Sequence, residues 1–301
     1  MSWRRSDALL GCLCALGCET LFGLSYVFTR QATGAGVLAL LGWRFVFAAF
    51  VMGLCVFSGL LPVRLSGKRK SPLLLVCLFS PVLYFICETT GISHTSASES
   101  GVFLACIPVA SLAASTLLLR KRPSRRQAVG IAVTLVGVLL TVLSAGLTVK
   151  VSVTGYLFLT GAVVSYALYS VFVDMAREYS SAELTFVMML AGAAVFGTMA
   201  FLEAGAEGRI AELLLLPFRD GAFLRAVLYL GAGCSVLAFF LSNVAIVKIG
   251  VNRSASFIGV ATVVSVLSGV FVLGEDFSLY QAVGTAVILA GVSVANSRSG
   301  D

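Results

Sequence analysis

Ten apolar runs, each close to the thickness of a lipid bilayer, leave this chain few ways to fold. They lie near residues 8–29, 37–60, 72–92, 98–119, 126–145, 153–175, 183–202, 222–247, 254–273 and 279–296. A hydrocarbon core about 30 Å thick takes roughly 20 apolar residues as a helix. Lipid offers no partner for a bare N–H or C=O, so such a segment crosses as a helix that satisfies its own backbone. Charged residues are 12% of the chain, about half the share of a soluble domain. The predicted fold class is an all-α polytopic membrane protein with ten transmembrane helices. No loop is long enough for a soluble domain. The longest, 203–221, contains "AELLLLPF", which predicts a short interfacial helix. The first run has full span length rather than the shorter core of a secretory signal, so an uncleaved first helix is expected.

Charge sets the expected orientation. If every run crosses, fifteen Lys and Arg residues share one side and only Arg30, Lys150, Arg209 and Arg219 lie on the other. The basic side holds "VRLSGKRK" between spans 2 and 3 and "RKRPSRR" between spans 4 and 5. The positive-inside rule then places both termini in the cytoplasm of a cell membrane, taken as a bacterial inner membrane. Membrane topology accounts for the basic balance, so no nucleic-acid partner is implied.

The chain also repeats itself. "QAVGIAVTLVGV" (127–138) and "QAVGTAVILAGV" (281–292) are identical at nine of twelve positions, at an offset of 154 residues. The match runs backwards without a gap, aligning Phe103 with Phe257, Ser111 with Ser265 and Ser124 with Ser278. "SPVLYF" (80–85) aligns with "CSVLAF" (234–239). The matched segments are five crossings apart. Five is odd, so the copies insert with opposite orientation: residues 1–150 form one five-helix repeat and 151–301 the other, in one integrated bundle. The loops agree in sign, because basic "RKRPSRR" aligns with acidic "GEDFSLY". Inverted repeats are an architecture of secondary transporters, in which two similar halves expose a midplane site to each side in turn.

Three further segments carry a resemblance. "LGWRFVFAAF" (41–50) places Arg44 in span 2, and "GISHTSASESGVFLACIPVASLAASTLLL" (91–119) places Pro108 within span 4. "VFVLGEDFSLYQAVGTAVILAGV" (270–292) carries Gly274 and Glu275 after span 9. In order and spacing the chain resembles the drug/metabolite transporter superfamily, EamA type, over essentially its whole length. The resemblance implies a ten-helix permease for a small metabolite. The chain departs from that pattern at Arg120 and Lys121, where Gly-Glu is expected, and at Glu19 in span 1.

Few ionisable residues lie deep in the predicted spans. Glu19 is ten residues from the outer end of span 1, about 15 Å deep at 1.5 Å per residue. An ionised side chain at the bilayer centre costs at least about 3 kcal/mol, so it must face protein or water. Glu19 is therefore the candidate proton or cation acceptor, or the anchor for a substrate amine; the alternative is a protonated packing residue. In the second repeat it aligns with Val163. Arg44 and Glu88 share an estimated depth in the outer third. They form either a structural ion pair or a site for a zwitterion, or they gate the outer mouth. Glu88 aligns with Ser242, which Asn243 follows. Tyr26, Tyr84, Tyr166 and Tyr169 accompany these groups, either as helix-packing or interface-belt residues, the default, or as rings that stack on an aromatic or cationic solute. Gly130, Gly137, Gly284 and Gly291 form small-residue seams on spans 5 and 10, joining either the halves or two protomers of a homodimer. Pro108 frees a backbone carbonyl within span 4, as a kink or hinge or as a plain packing residue.

Other classes lack their chemistry. His94 is the one histidine, there is no Asp-rich motif, and no GxxxxGK[ST] loop is present. The sequence reading is thus a transporter rather than an enzyme, without metal or cofactor, and not driven directly by ATP. Seven of the eight cysteines fall well within spans and are read as packing residues, a thiolate site in "CLCALGC" being the alternative. The expected function is secondary transport of a small organic metabolite, such as an amino acid or related amine, with proton coupling one mode. A passive channel or a membrane scaffold are the alternatives. Cysteines placed at Arg122 and at Asp276 in cysteine-depleted protein should react with impermeant maleimide from opposite faces; labelling from the same face would exclude inverted repeats.

Overall fold

The computed structural model describes residues 5–94, 103–143, 152–274 and 278–296. The expected start of span 4, the end of span 5 and Glu275 lie outside the described residues. Helix α1 is Arg5–Gln31, α2 Val37–Phe57 and α3 Lys70–Ser93. Then come α4 (Ile107–Leu119), α5 (Arg125–Leu143), α6 (Val153–Met175) and α7 (Ser181–Ala206). The short α8 (Ile210–Arg219) follows, where the interfacial helix was expected. Helix α9 is Gly221–Ile249, α10 Val251–Val272 and α11 Leu279–Asn296. Eight of these are long and apolar enough to cross a membrane; α4 is a shorter apolar helix. The protein is an all-α polytopic membrane protein. Gly250, at φ 79°, divides α9 from α10 within the "KIGVNR" junction.

The repeats are visible in local structure. Both copies of the third helix leave α geometry at mid-length, in π-helical stretches at Leu78–Leu83 and Tyr229–Ala238. The first contains a cis Ser80–Pro81 bond. Helices α5 and α11 begin with the same reciprocal cap. The N–H of Gln127 donates to Ser124 Oγ (3.2 Å) while that of Ser124 donates to Gln127 Oε1 (3.0 Å). Ser278 and Gln281 do the same at 3.2 and 2.9 Å. This S-x-x-Q cap satisfies two otherwise unpaired backbone donors. Helix α10 ends on Gly274 in the left-handed conformation (φ 69°), and α4 ends the same way on its aligned residue Arg120 (φ 53°). The backbone of the motif therefore persists where its glycine does not.

Packing follows the pairing of repeats. Helix α1 lies against α9 and α10, while its counterpart α6 lies against α3 and α4; α2 packs on α7, and α5 on α11. The last pair runs antiparallel along the glycine seams. A Cβ on Gly130 would fall 2.4 Å from the Ala295 nitrogen, and one on Gly137 2.7 Å from the Ile288 nitrogen. On the facing helix, a Cβ on Gly291 would meet Thr134 Oγ1 at 2.4 Å and one on Gly284 would meet Thr141 Oγ1 at 2.1 Å. The four glycines thus serve contact between the halves of one chain. Pro108 stands in the first turn of α4, directly after a break at residues 105–106 that separates it from helical Phe103 and Leu104.

The chain-end helices meet at one end of the bundle. Lys248 Nζ pairs with Asp7 Oδ1 at 2.5 Å, and Arg253 Nε donates to Asn296 Oδ1 at 3.0 Å. Gly130→Ala should lower stability by about 2 kcal/mol through overpacking. Gly53→Ala, whose added carbon meets only Phe57 at 4.0 Å, should leave it unchanged or slightly raised. Thermal unfolding in detergent measures both.

Candidate functional site

The site is built where the two repeats meet. Phe85 and Phe239 occupy equivalent positions of the aligned "SPVLYF" and "CSVLAF" segments, and their rings touch at 6.5 Å. From this contact a closed circuit of five rings extends. Phe239 meets Tyr169 at 6.2 Å, Tyr169 meets Tyr166 at 5.5 Å, Tyr166 meets Tyr84 at 5.6 Å and Tyr84 meets Phe85 at 5.1 Å. All but the neighbours Tyr84 and Phe85 come from different turns or helices. Edge-on geometry dominates, which places ring hydrogens against neighbouring π faces. Tyr84 and Phe85 directly follow the π stretch of α3, and Phe239 follows that of α9. Departures from α geometry of this kind re-aim side chains and recur at functional sites.

Glu19 lies beside this circuit, with 6% of its surface exposed. Helical spacing explains its direction. Gly11, Cys14, Ala15, Cys18 and Glu19 form the buried face of α1, whereas Leu9, Leu13 and Leu16 form its outward face. The acid therefore points into protein and away from acyl chains. Its described contact is long, from Cys18 Sγ to Oε1 at 3.9 Å. Tyr166 and Tyr169 lie within its electrostatic reach. Ser242, also buried, lies on α9 next to Asn243, whose Oδ1 accepts from Tyr169. Phe22, one turn along α1, caps this side through Phe239 at 5.5 Å.

Arg44 and Glu88 approach from the first repeat. Arg44 is 8% exposed and has its guanidinium over the rings of Phe85 (4.8 Å) and Phe45 (5.5 Å). Its Nε donates to Ser235 Oγ at 2.7 Å, from the π stretch of α9. Glu88 accepts from the Tyr84 hydroxyl at 2.6 Å, one helical turn earlier. The two charges feel each other but do not come within 4.0 Å, so the direct ion pair anticipated as one reading is not formed. Each is held by its own neutral partner, and both border the aromatic circuit.

Asn243 is fully buried and fully engaged. Tyr169 donates to its Oδ1 at 2.8 Å, and its Nδ2 donates to Thr185 Oγ1 at 3.1 Å. It ties α6, α7 and α9 together beneath the rings. Tyr26 stands on α1 one heptad after Glu19; its side chain lies outside the described residues. The structure thus gathers Glu19, Arg44, Tyr84, Glu88, Tyr166 and Asn243 into one region, and sends Pro108 and the four glycines to packing contacts elsewhere. Phe85, Phe239 and Ser235 escaped the residue reading. The repeat alignment held the signal for the first two, since a residue matched to its copy near a two-fold axis meets that copy. Nothing local marked Ser235.

The model of the EamA-like transporter family matches residues 9–143 and again 153–297, and the chain belongs to that family. It is similar to the uncharacterized transporter YcxC of Bacillus subtilis (strain 168), 28% identical over 92% of this chain and 89% of that one. It is also similar to a WAT1-related protein of Arabidopsis thaliana, 24% identical over 83% of this chain and 74% of that one. A solved crystal structure superposes with a TM-score of 0.78 at 19% identity, covering 97% of both chains. That last likeness concerns the fold alone. The family is one of membrane transporters rather than enzymes.

Asn243→Ala strands the Tyr169 hydroxyl in a dry interior and should cost about 2 kcal/mol. Glu19→Gln removes no strong contact and should leave the thermal midpoint in detergent unchanged or higher. The reverse order would place structural weight on Glu19 instead.

Proposed function

We propose that the chain is a secondary carrier for a small organic metabolite, an amino acid or related amine, working by alternating access and coupled to protons through Glu19. The observation that carries this reading is a set of three ionisable groups around the aromatic circuit, Glu19 and Arg44 buried and Glu88 half-buried, with no ion pair among them. Lipid-embedded charge is expensive, and a purely structural design would have paired Arg44 with Glu88 or replaced both by apolar residues of similar volume. A carboxylate and an ammonium on one solute complement Arg44 and Glu88, and the rings accept an apolar or cationic body. Glu19 takes either a proton or an ammonium, so loading one releases the other.

The positive-inside rule supports a cytoplasmic position for the basic end and both termini. Direction then follows from the gradient: inward proton flow would drive export. In proteoliposomes, Glu19→Gln should abolish solute movement driven by a pH gradient, at least a tenfold loss, while leaving the protein folded. Undiminished gradient-driven uptake would remove Glu19 from coupling. Counterflow separates carrier from pore, since trans solute accelerates labelled uptake only in a carrier. A scaffold would show neither.

A further inference from the structure

Four polar contacts at the basic end each join the first repeat to the second. Lys121, just past α4, pairs with Asp174 at the end of α6, which also accepts from Arg177 Nη2 at 3.1 Å. Lys68 Nζ reaches Glu183 Oε2 on α7 at 2.6 Å, and the Arg64 N–H donates to Oε1 of the same carboxylate at 2.7 Å. Lys248 on α9 meets Asp7 on α1. The Ser115 hydroxyl of α4 donates to Asn252 Oδ1 of α10. Toward the midplane and the other end, the described side-chain bonds between repeats include neutral ones, Tyr229 Oη to the Leu21 carbonyl and Trp43 Nε1 to the Leu213 carbonyl. In sequence, Lys121 and Ser115 align with Glu275 and Gly269, so the second repeat does not reproduce the arrangement.

These contacts lie directly under the site. Asp174 is five residues beyond Tyr169 on α6, about 7.5 Å along the axis. Glu183 is two residues from Thr185, which holds Asn243. The carboxylate side chains of Asp174 and Glu183 are only 3% and 4% exposed. A buried ion pair gives back in desolvation much of what its Coulomb attraction supplies. The basic partners are already partly exposed, and opening to water rehydrates the two buried carboxylates, which offsets the loss of the contacts and suits a seal that must break in every cycle.

We propose that these four contacts are a latch that seals the central site from the basic end, and that this structure is the form closed on that side. The proposal rests on the carrier reading above. Cys18, beside Glu19, supplies a native reporter. A variant retaining Cys18 as its sole cysteine would be treated, in right-side-out and inside-out membrane vesicles, with an impermeant trimethylammonium methanethiosulfonate. A cysteine at Arg122 in a parallel preparation identifies the basic face. Neutralising the two ionic contacts nearest the site (Lys121→Gln with Asp174→Asn, Lys68→Gln with Glu183→Gln), of the three, should raise Cys18 modification from the basic face at least tenfold. A disulfide joining K121C to D174C should suppress it, with recovery on reduction, and covers the case in which the neutralised variant fails to fold. Equal modification from the basic face with the clasps intact, neutralised or cross-linked would overturn the latch alone. Cys18 unreachable from both faces in every variant would overturn the latch and the carrier reading together.

Discussion

The free-energy cost of keeping ionised groups from water organises this molecule. Backbone polarity is met by helices, but Glu19, Arg44 and Glu88 have no such internal remedy. Each is turned inward by helical spacing and met by a hydroxyl, a thiol or an aromatic face. On α1 the same spacing puts Leu9, Leu13 and Leu16 on the outward face and the acid on the inward one.

Duplication supplies the frame for that interior. The copies share π stretches, helix caps and left-handed helix ends, and Phe85 meets its own counterpart Phe239. Such likeness gives two arrangements of similar energy, the physical requirement for exposing one site to two sides. The chemistry is not duplicated. Glu19, Arg44 and Glu88 all belong to the first repeat, while the second contributes Ser235, Tyr166, Tyr169, Phe239, Ser242 and Asn243. A symmetric scaffold thus holds an asymmetric site, charged on one wall and neutral on the other.

Most of the architecture was legible because it depends on periodic or repeated patterns. Apolar run length marks helices, loop charge marks their ends, and the 154-residue offset marks the copies. The deep acids were legible because lipid makes them costly wherever they point. The neighbours of those acids were not. Ser235 is one serine among many until α2 and α9 approach closely at Gly231, whose absent Cβ would lie 2.6 Å from Phe47. Asn243 stands out in the sequence only as the neighbour of Ser242, and its partners Tyr169 and Thr185, which use both ends of its amide, come from other helices.

By itself, the sequence determined that the chain is a bundle of membrane helices in two inverted copies, with three ionisable residues that must turn inward. Those conclusions need only hydropathy, charge and self-similarity, which are properties of residues in order. Tertiary structure decided that Arg44 and Glu88 stand apart, that five rings close a circuit at the axis, and that buried carboxylates join the repeats at the basic end. Such outcomes depend on distances between helices far apart in the chain, and a difference of an ångström or two between paired and merely neighbouring charges is written in no local pattern.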